Sequence, residues 1–372
     1  MDECIVMDAR TTTPHFPGIG RYVVNLLQGL LRVVPTLPIT LVQSRVSIEP
    51  SNLPNLPRII CPASPFSFSQ QWVIPRLLRE ERGTLYHSPY YLMPYRPGLP
   101  TVVTFYDMIP LVYPEFFSLS QRLLFRGTHL LAARAATCII TVSEATRADL
   151  IRHIRIPPEK IVVIPLGVDK DFHPRGRGEI IQIRQKYGLP ENYLLYVGTN
   201  KPHKNLECLV DAFQQMENLF RSNVKLVIAG PWDRRYDGAK KMANAAGSKD
   251  RVQFVGWIEE ADLPALYTGA MLFVFPSLRE GFGLPVLEAM ACGTPVVCSN
   301  RSGLSEVAGG AALLINPEDT HHLAEGIARV LKNEDLRQEL TERGLKRAKL
   351  FTWEKTAEKT LTLYHQVMNK TR

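Results

Sequence analysis

Short apolar runs of six to eight residues recur along the whole chain, with amphipathic stretches between many of them. The first series reads CIVMDA (4–9), ITLVQS (39–44), RIICPA (58–63), LYHSPY (85–90), TVVTFYDM (101–108), TCIITVS (137–143) and IVVIPLGV (161–168). The second reads YLLYVGT (193–199), VKLVIAG (224–230), VQFVGW (252–257), MLFVFPS (271–277), TPVVCS (294–299) and AALLINP (311–317). Apolar residues at helical spacing fill segments such as 204–217, 261–268 and 284–292. A strand apolar along its whole length must be covered on both faces, and a helix after each strand supplies that cover. The pattern therefore predicts parallel sheets wound on both faces. Because the series breaks at GVDKDFHPRGRGE (167–179), polar and rich in Pro and Gly, it predicts two such α/β domains with a cleft between them.

Composition narrows the class. A length of 372 residues exceeds one ordinary core. With 45% hydrophobic and 22% charged residues, the chain reads as a soluble globular protein. No run approaches the ~18 apolar residues of a membrane span. The opening MDECIVMDAR carries acids where a secretory leader carries bases, which points to a cytosolic protein. Six cysteines (4, 61, 138, 208, 292 and 298) are scattered without a C-x-x-C and read as reduced core residues. The net charge of +8 suits a protein that handles nucleotide diphosphates or visits an anionic membrane; it does not single out nucleic acid. No H-E-x-x-H, no P-loop and no D-x-D placed as a metal site is present, so neither a metal nor ATP hydrolysis is expected.

Chemistry concentrates in SLREGFGLPVLEAMACGTPVV (277–297). A strand ends in a glycine-rich turn and opens a helix, with Glu280 before the turn and Glu288 about two helical turns later. Gly281 and Gly283 permit close backbone approach, and the helix N-terminus offers unsatisfied N–H donors. Donors for phosphate beside carboxylates for hydroxyls suit a sugar-bearing anion; the plainer reading is a buried helix start with capping glutamates. The block resembles the E-x7-E motif of retaining GT-B glycosyltransferases, in particular glycosyltransferase family 4. The resemblance implies two Rossmann-like domains: residues 1–172 for the acceptor, completed by the C-terminal helix of 353–372, and residues 173–352 for the nucleotide-sugar donor. It implies that Gly281, Phe282, Gly283, Leu284 and Glu288 bind the donor and that Glu280 lies at the reacting centre.

Other loops carry further parts of the resemblance. After the first strand, Gly18 and Gly20 in GIGRY stand before an amphipathic helix and permit a tight βα turn. In the family this loop lies over the donor diphosphate, and Arg21 is either a phosphate ligand or an exposed helix residue. Asp107 ends a central strand and reaches a ligand or caps a helix; relatives carry His-Asp here, whereas this chain has Tyr106. Ser143 reads as an N-cap. In YVGTNKPHKNLECLVDAF (196–213), Lys204 precedes a helix and is placed to neutralise a leaving diphosphate, unless it is a solvated loop lysine. Thr199 stands where family members often have arginine.

The motifs run from residue 4 to about 367. They imply a cytosolic retaining hexosyltransferase with a nucleoside diphosphate sugar as substrate. GDP-mannose is the first donor because VVTFYDMIPLVYPE most resembles mannosyltransferases, and the acceptor is a saccharide or lipid-linked saccharide. A UDP-sugar 2-epimerase of the same architecture and a non-catalytic sugar or nucleotide-binding module are the alternatives. Helix 117–136 carries Leu123, Leu124, Leu130 and Leu131 among Arg122, Arg126 and Arg134. It is either an ordinary domain helix with leucines inward or a basic amphipathic surface for an anionic bilayer, giving peripheral contact at the inner membrane face.

Overall fold

The computed structural model describes residues 4–13, 15–44, 53–219, 223–245 and 250–370. They form two compact units: residues up to Gly167 together with those from Thr352 onward, and residues Val168–Phe351.

The first unit holds seven strands: β1 (Ile5–Asp8), β2 (Ile39–Ser44), β3 (Arg58–Cys61), β4 (Leu85–Ser88), β5 (Thr101–Phe105), β6 (Cys138–Thr141) and β7 (Ile161–Val163). All pair in parallel in the order β3-β2-β1-β4-β5-β6-β7. Ile5 lies opposite Ile39 on one side and Leu85 on the other. Its first helices are α1 (Pro17–Val33), α2 (Gln70–Glu80), α3 (Ile109–Val112), α4 (Leu119–Ala135) and α5 (Glu144–Ile154).

The second unit holds β8 (Tyr193–Val197), β9 (Lys225–Ala229), β10 (Val252–Gly256), β11 (Leu272–Phe275), β12 (Val296–Ser299) and β13 (Leu313–Ile315), in the order β10-β9-β8-β11-β12-β13, again parallel throughout. Its helices are α6 (Arg177–Tyr187), α7 (Leu206–Leu219), α8 (Gly238–Ala245), α9 (Leu263–Thr268), α10 (Leu284–Ala291), α11 (Ser302–Ala308), α12 (Thr320–Lys332) and α13 (Glu334–Ala348). The last helix, α14 (Trp353–Asn369), belongs to the first unit, and the last two positions of the expected helix 353–372 lie outside the described residues.

Every apolar run yields a strand, but the ladders stop sooner than the hydrophobicity does. The run 161–168 pairs only over Ile161–Val163, while Ile164 and Leu166 stay buried beyond it. Parallel strands continue into loops that still lie under helices, so apolar residues outlast the hydrogen-bonded ladder. In each sheet the winding direction reverses once, between β1 and β4 in the first and between β8 and β11 in the second. The crevice outside the carboxyl ends of such a pair is where open α/β sheets bind ligands.

Helix α14 is fixed by close backbone approach and by hydrogen bonding. Thr352 caps it by accepting from Lys355 N at 3.3 Å. Trp353, Ala357, Thr360, Leu361 and Tyr364 recur at three- and four-residue spacing and are buried. A Cβ on Gly29 of α1 would come within 2.6 Å of the Trp353 carbonyl, so the two helices pack closer than an alanine there would permit. The Tyr364 hydroxyl is hydrogen-bonded to His87 Nδ1 at 2.5 Å, and His87 Nε2 to Thr104 Oγ1 at 2.9 Å. Burial lowers the His87 pKa to about 3, so the ring is neutral and can serve as both donor and acceptor.

Candidate functional site

The switch point of the second sheet brings together Lys204 and Glu280, two of the charged residues that the sequence singles out. Lys204 leaves β8 through a short 3-10 turn, Pro202–Lys204, and Glu280 leaves the neighbouring β11. Lys204 Nζ donates to Glu280 Oε1 at 2.6 Å, with the two side chains only 16% and 12% exposed. The ammonium also stands 5.3 Å from the centroid of the Phe275 ring. Asn205 follows in the left-handed region at φ 60°, and its side-chain amide donates to the Pro276 and Pro317 carbonyls. Leu278 N donates to the His203 carbonyl at 2.8 Å, tying the two loops directly. Burial, with Lys204 beside it, lowers the His203 pKa to about 4 and keeps this imidazole neutral. Thr199 lies at the start of the same β8 loop, where its carbonyl accepts from the Tyr196 hydroxyl at 2.8 Å.

The glycine-rich turn after Glu280 is built by close contacts. Gly283 sits at φ 114° as the residue before α10, and a Cβ there would meet Leu304 at 2.5 Å. A Cβ on Gly303 would lie 2.4 Å from the Gly281 carbonyl, so the start of α11 presses on the turn. Ser302 Oγ accepts from Glu280 N at 3.0 Å and holds that residue's backbone. Phe282 is buried, and Leu284 is the first residue of α10.

Residues 280–283 are not helical, so Glu288 is the fifth residue of α10, in its second turn, and not about two helical turns from Glu280. Its Cα–Cβ bond tilts toward the helix N-terminus, as every helical side chain does. The carboxylate is buried, and its Oε2 accepts from the Tyr267 hydroxyl at 3.0 Å.

The first unit places its candidates at the carboxyl ends of β1 and β5. Gly18 and Gly20 do not form the βα turn: α1 begins at Pro17, so both lie within its first turns, and neither has a positive φ. Proline at the first helical position starts the helix earlier than the glycines suggest. A Cβ on Gly20 would stand 3.4 Å from the Thr11 carbonyl, an ordinary contact distance. Arg21 follows on α1 and is half-buried. Asp107 Oδ1 accepts from Ile109 N at 3.0 Å, so one of its oxygens holds the first N–H of α3, whose N-cap is Met108. The Tyr106 hydroxyl beside it is buried without a hydrogen-bond partner among the described residues, and burial raises its pKa. Within the units, the structure thus brings Lys204, Glu280 and the 281–284 turn together in one, and the β1–α1 and β5–α3 loops to one sheet edge in the other.

Sequence profiles of known families match both units: Glycosyltransferase Family 4 over residues 17–172 and Glycosyl transferases group 1 over residues 179–347. O-antigen chain mannosyltransferase B of Escherichia coli is 35% identical over 289 residues, covering 77% of this chain and 75% of that protein. The chain is a family 4 glycosyltransferase. O-antigen chain mannosyltransferase RfbU of Salmonella typhimurium is 31% identical over 217 residues, 58% of this chain and 57% of that one. The same fold occurs in sucrose-phosphate synthase from Thermosynechococcus elongatus, with a TM-score of 0.78 at 24% identity over 99% of this chain and 100% of that one. It occurs also in Anabaena HepE in complex with UDP and glucose, with a TM-score of 0.79 at 19% identity over 98% and 100%. This family 4 glycosyltransferase therefore has the GT-B type of fold, with a parallel α/β sheet in each unit.

Three supporting residues of the glycosyltransferase were not legible as site residues. Asn205, Ser302 and Tyr267 hold the Lys204 loop, the Glu280 backbone and the Glu288 carboxylate. An asparagine directly after Lys204 was the one available signal, because asparagine tolerates the left-handed region better than most residues. Tyr267 lies 21 residues from its partner and gives no local sign.

Proposed function

We propose that this glycosyltransferase moves mannose from GDP-mannose, with retention of anomeric configuration, to a saccharide or lipid-linked saccharide. The 2.6 Å Lys204–Glu280 pair at the β8/β11 switch point carries the reading. In it the second unit binds the donor. Backbone N–H groups of the Gly281–Leu284 turn and the α10 N-terminus receive phosphate, helped by Thr199 in the neighbouring loop. Glu288, oriented by Tyr267, accepts from ribose hydroxyls. Lys204 exchanges its carboxylate partner for the diphosphate as the glycosidic bond breaks, and it meets the charge that develops there. Glu280, released from the ammonium, faces the sugar. No metal takes part in this scheme. Asp107, Gly18, Gly20 and Arg21, at the carboxyl edge of the first unit's sheet, are that unit's own candidates for substrate contact.

Mannose is chosen because the relatives named above are mannosyltransferases. UDP-glucose is the second donor to examine, because Anabaena HepE has been solved in complex with it. A lipid-linked acceptor at the membrane surface finds support in α4. Leu123 and Leu124 are 60% and 69% exposed, alongside the exposed Arg126 and Arg134. The inward face of that helix is instead His129, Ala132 and Ala133. Among the described residues no helix is long and apolar enough to cross a membrane, so such contact would be peripheral. The deciding experiment incubates the protein with GDP-mannose, UDP-glucose and other nucleotide sugars plus saccharide acceptors. The expected result is a mannosylated product from GDP-mannose; transfer from another donor alone would overturn the donor assignment.

A further inference from the structure

An unusual group of aromatic side chains lines the carboxyl edge of the first sheet. Phe68 and Trp72 are 76% and 65% exposed, and they meet edge-to-face with centroids 5.4 Å apart. Phe66, in the same loop, stacks on Phe16 at 5.5 Å, and Phe16 meets Tyr90 at 5.1 Å. Phe16 follows β1 and Tyr90 follows β4, so this end of the row stands at the switch point itself. The other end, Phe68 and Trp72, is carried by the loop after β3 and the start of α2, where the neighbouring Gln71 is hydrogen-bonded to the loop after β4.

The row is held rigid from beneath. Arg10 and Asp8 form a buried ion pair at 2.6 Å, and Arg10 also donates to the Ala63 carbonyl and to Gln70 Oε1. Gln70 in turn donates to the Pro65 carbonyl at 2.6 Å. Gln71 donates to the Met93 carbonyl and accepts from Tyr95 N, which ties the start of α2 to the loop after β4. Large exposed aromatics on a fixed loop, outside any core, are characteristic of a binding surface.

The chemistry of the loop selects the ligand. Residues 61–75, CPASPFSFSQQWVIP, include no charged side chain, and serines and glutamines alternate with the aromatics. A phosphate or an anionic bilayer requires cations, and this segment offers none. Flat apolar faces interleaved with neutral hydroxyl and amide groups match a neutral sugar, which has apolar C–H faces and a rim of hydroxyls. We propose that the row from Tyr90 through Phe16 and Phe66 to Phe68 and Trp72 is an extended subsite for a neutral saccharide chain, gripping acceptor residues remote from the one that is glycosylated. The inference rests on the saccharide acceptor of the reading above and adds to it a preference for chain length.

The test measures transfer from GDP-mannose to methyl α-mannoside and to mannobiose through mannohexaose, using wild type, Phe68→Ala, Trp72→Ala and Trp72→Phe. Both alanine variants change exposed side chains and should fold normally. Their KM for mannohexaose is expected to rise about tenfold with kcat unchanged, while KM for methyl α-mannoside stays constant and Trp72→Phe retains most of the affinity. Unchanged KM at every length, or an equal rise for monosaccharide and hexasaccharide, would overturn the proposal. So would loss of binding to phosphatidylcholine–phosphatidylglycerol vesicles with saccharide KM unmoved, which would make the row a membrane anchor. If wild type transfers to no saccharide, the functional reading fails by itself, and calorimetry of mannohexaose binding then decides the subsite. Weaker binding by Trp72→Ala supports it, and equal or absent binding overturns it.

Discussion

Replacement of Lys204 by alanine probes the charge chemistry most sharply. In the structure the ammonium is 2.6 Å from Glu280 and both side chains are largely buried. Removal of one preorganised charge-stabilising group costs about 2–4 kcal/mol of transition-state stabilisation. At about 1.4 kcal/mol per decade, kcat/KM for GDP-mannose should fall roughly 30- to 1,000-fold. The change also strands the Glu280 carboxylate in a mostly buried place, which lowers stability by about 1–3 kcal/mol. Lys204→Ala/Glu280→Gln removes the stranded charge, so its melting temperature should recover toward wild type while its activity stays low. That divergence between stability and rate distinguishes a catalytic lysine from a structural one. Lys204→Arg should recover only part of the rate, because a planar guanidinium does not replace a compact ammonium. Steady-state kinetics with melting curves on all four proteins would refute the reasoning if Lys204→Ala retained wild-type kcat/KM, or if the double variant regained it.

Glu288→Gln should mainly weaken nucleotide binding and Glu280→Gln mainly lower kcat, because only the latter is assigned to the reacting centre; calorimetry with GDP beside turnover rates would expose the opposite split. Transfer is expected to persist in EDTA, and its abolition with recovery on adding a divalent cation would place a metal in the scheme. Asp8→Ala leaves the buried Arg10 guanidinium without its carboxylate and should cost about 3–5 kcal/mol of stability, read from denaturant titration. Burial lowers His87 and His129 from 6.5 to about 3, so between those values the unfolded chain binds more protons than the folded one. Stability should therefore fall as pH drops below 6.5, by about 2 kcal/mol per histidine near pH 5, and His129→Leu should flatten that loss in melting curves. Reversing Arg122 and Arg126 to glutamate should abolish salt-sensitive binding to anionic vesicles without changing transfer to a soluble acceptor.

The fold was legible because parallel strands buried on both faces write themselves as continuous apolar runs. All seven runs of the first series and all six of the second became strands. What local sequence misjudged was geometry set by neighbours. Gly18 and Gly20 look like turn residues, yet Pro17 starts the helix and both glycines lie inside it. Of the α4 leucines read from the sequence, Leu130 packs against the core beside His129 and two alanines, whereas Leu123, Leu124 and Leu131 remain outside. At the site, Lys204, Glu280 and Glu288 stood out because charge beside glycine and a helix start is locally visible. Their supports did not, since Asn205–Pro276, Ser302–Glu280 and Tyr267–Glu288 join residues 71, 22 and 21 positions apart. The aromatic row was hidden for the same reason: Phe16, Phe66 and Tyr90 meet only once the sheet brings their loops to one edge.

The most direct measurement is the anomeric configuration of the product formed from GDP-α-mannose, followed by proton NMR from the first turnovers onward. The Lys204–Glu280 arrangement at the β8/β11 switch point, with charge stabilised on the leaving diphosphate, should yield an α-mannoside from the outset. A β-mannoside as first product, or hydrolysis of the donor without transfer to any acceptor, would contradict it.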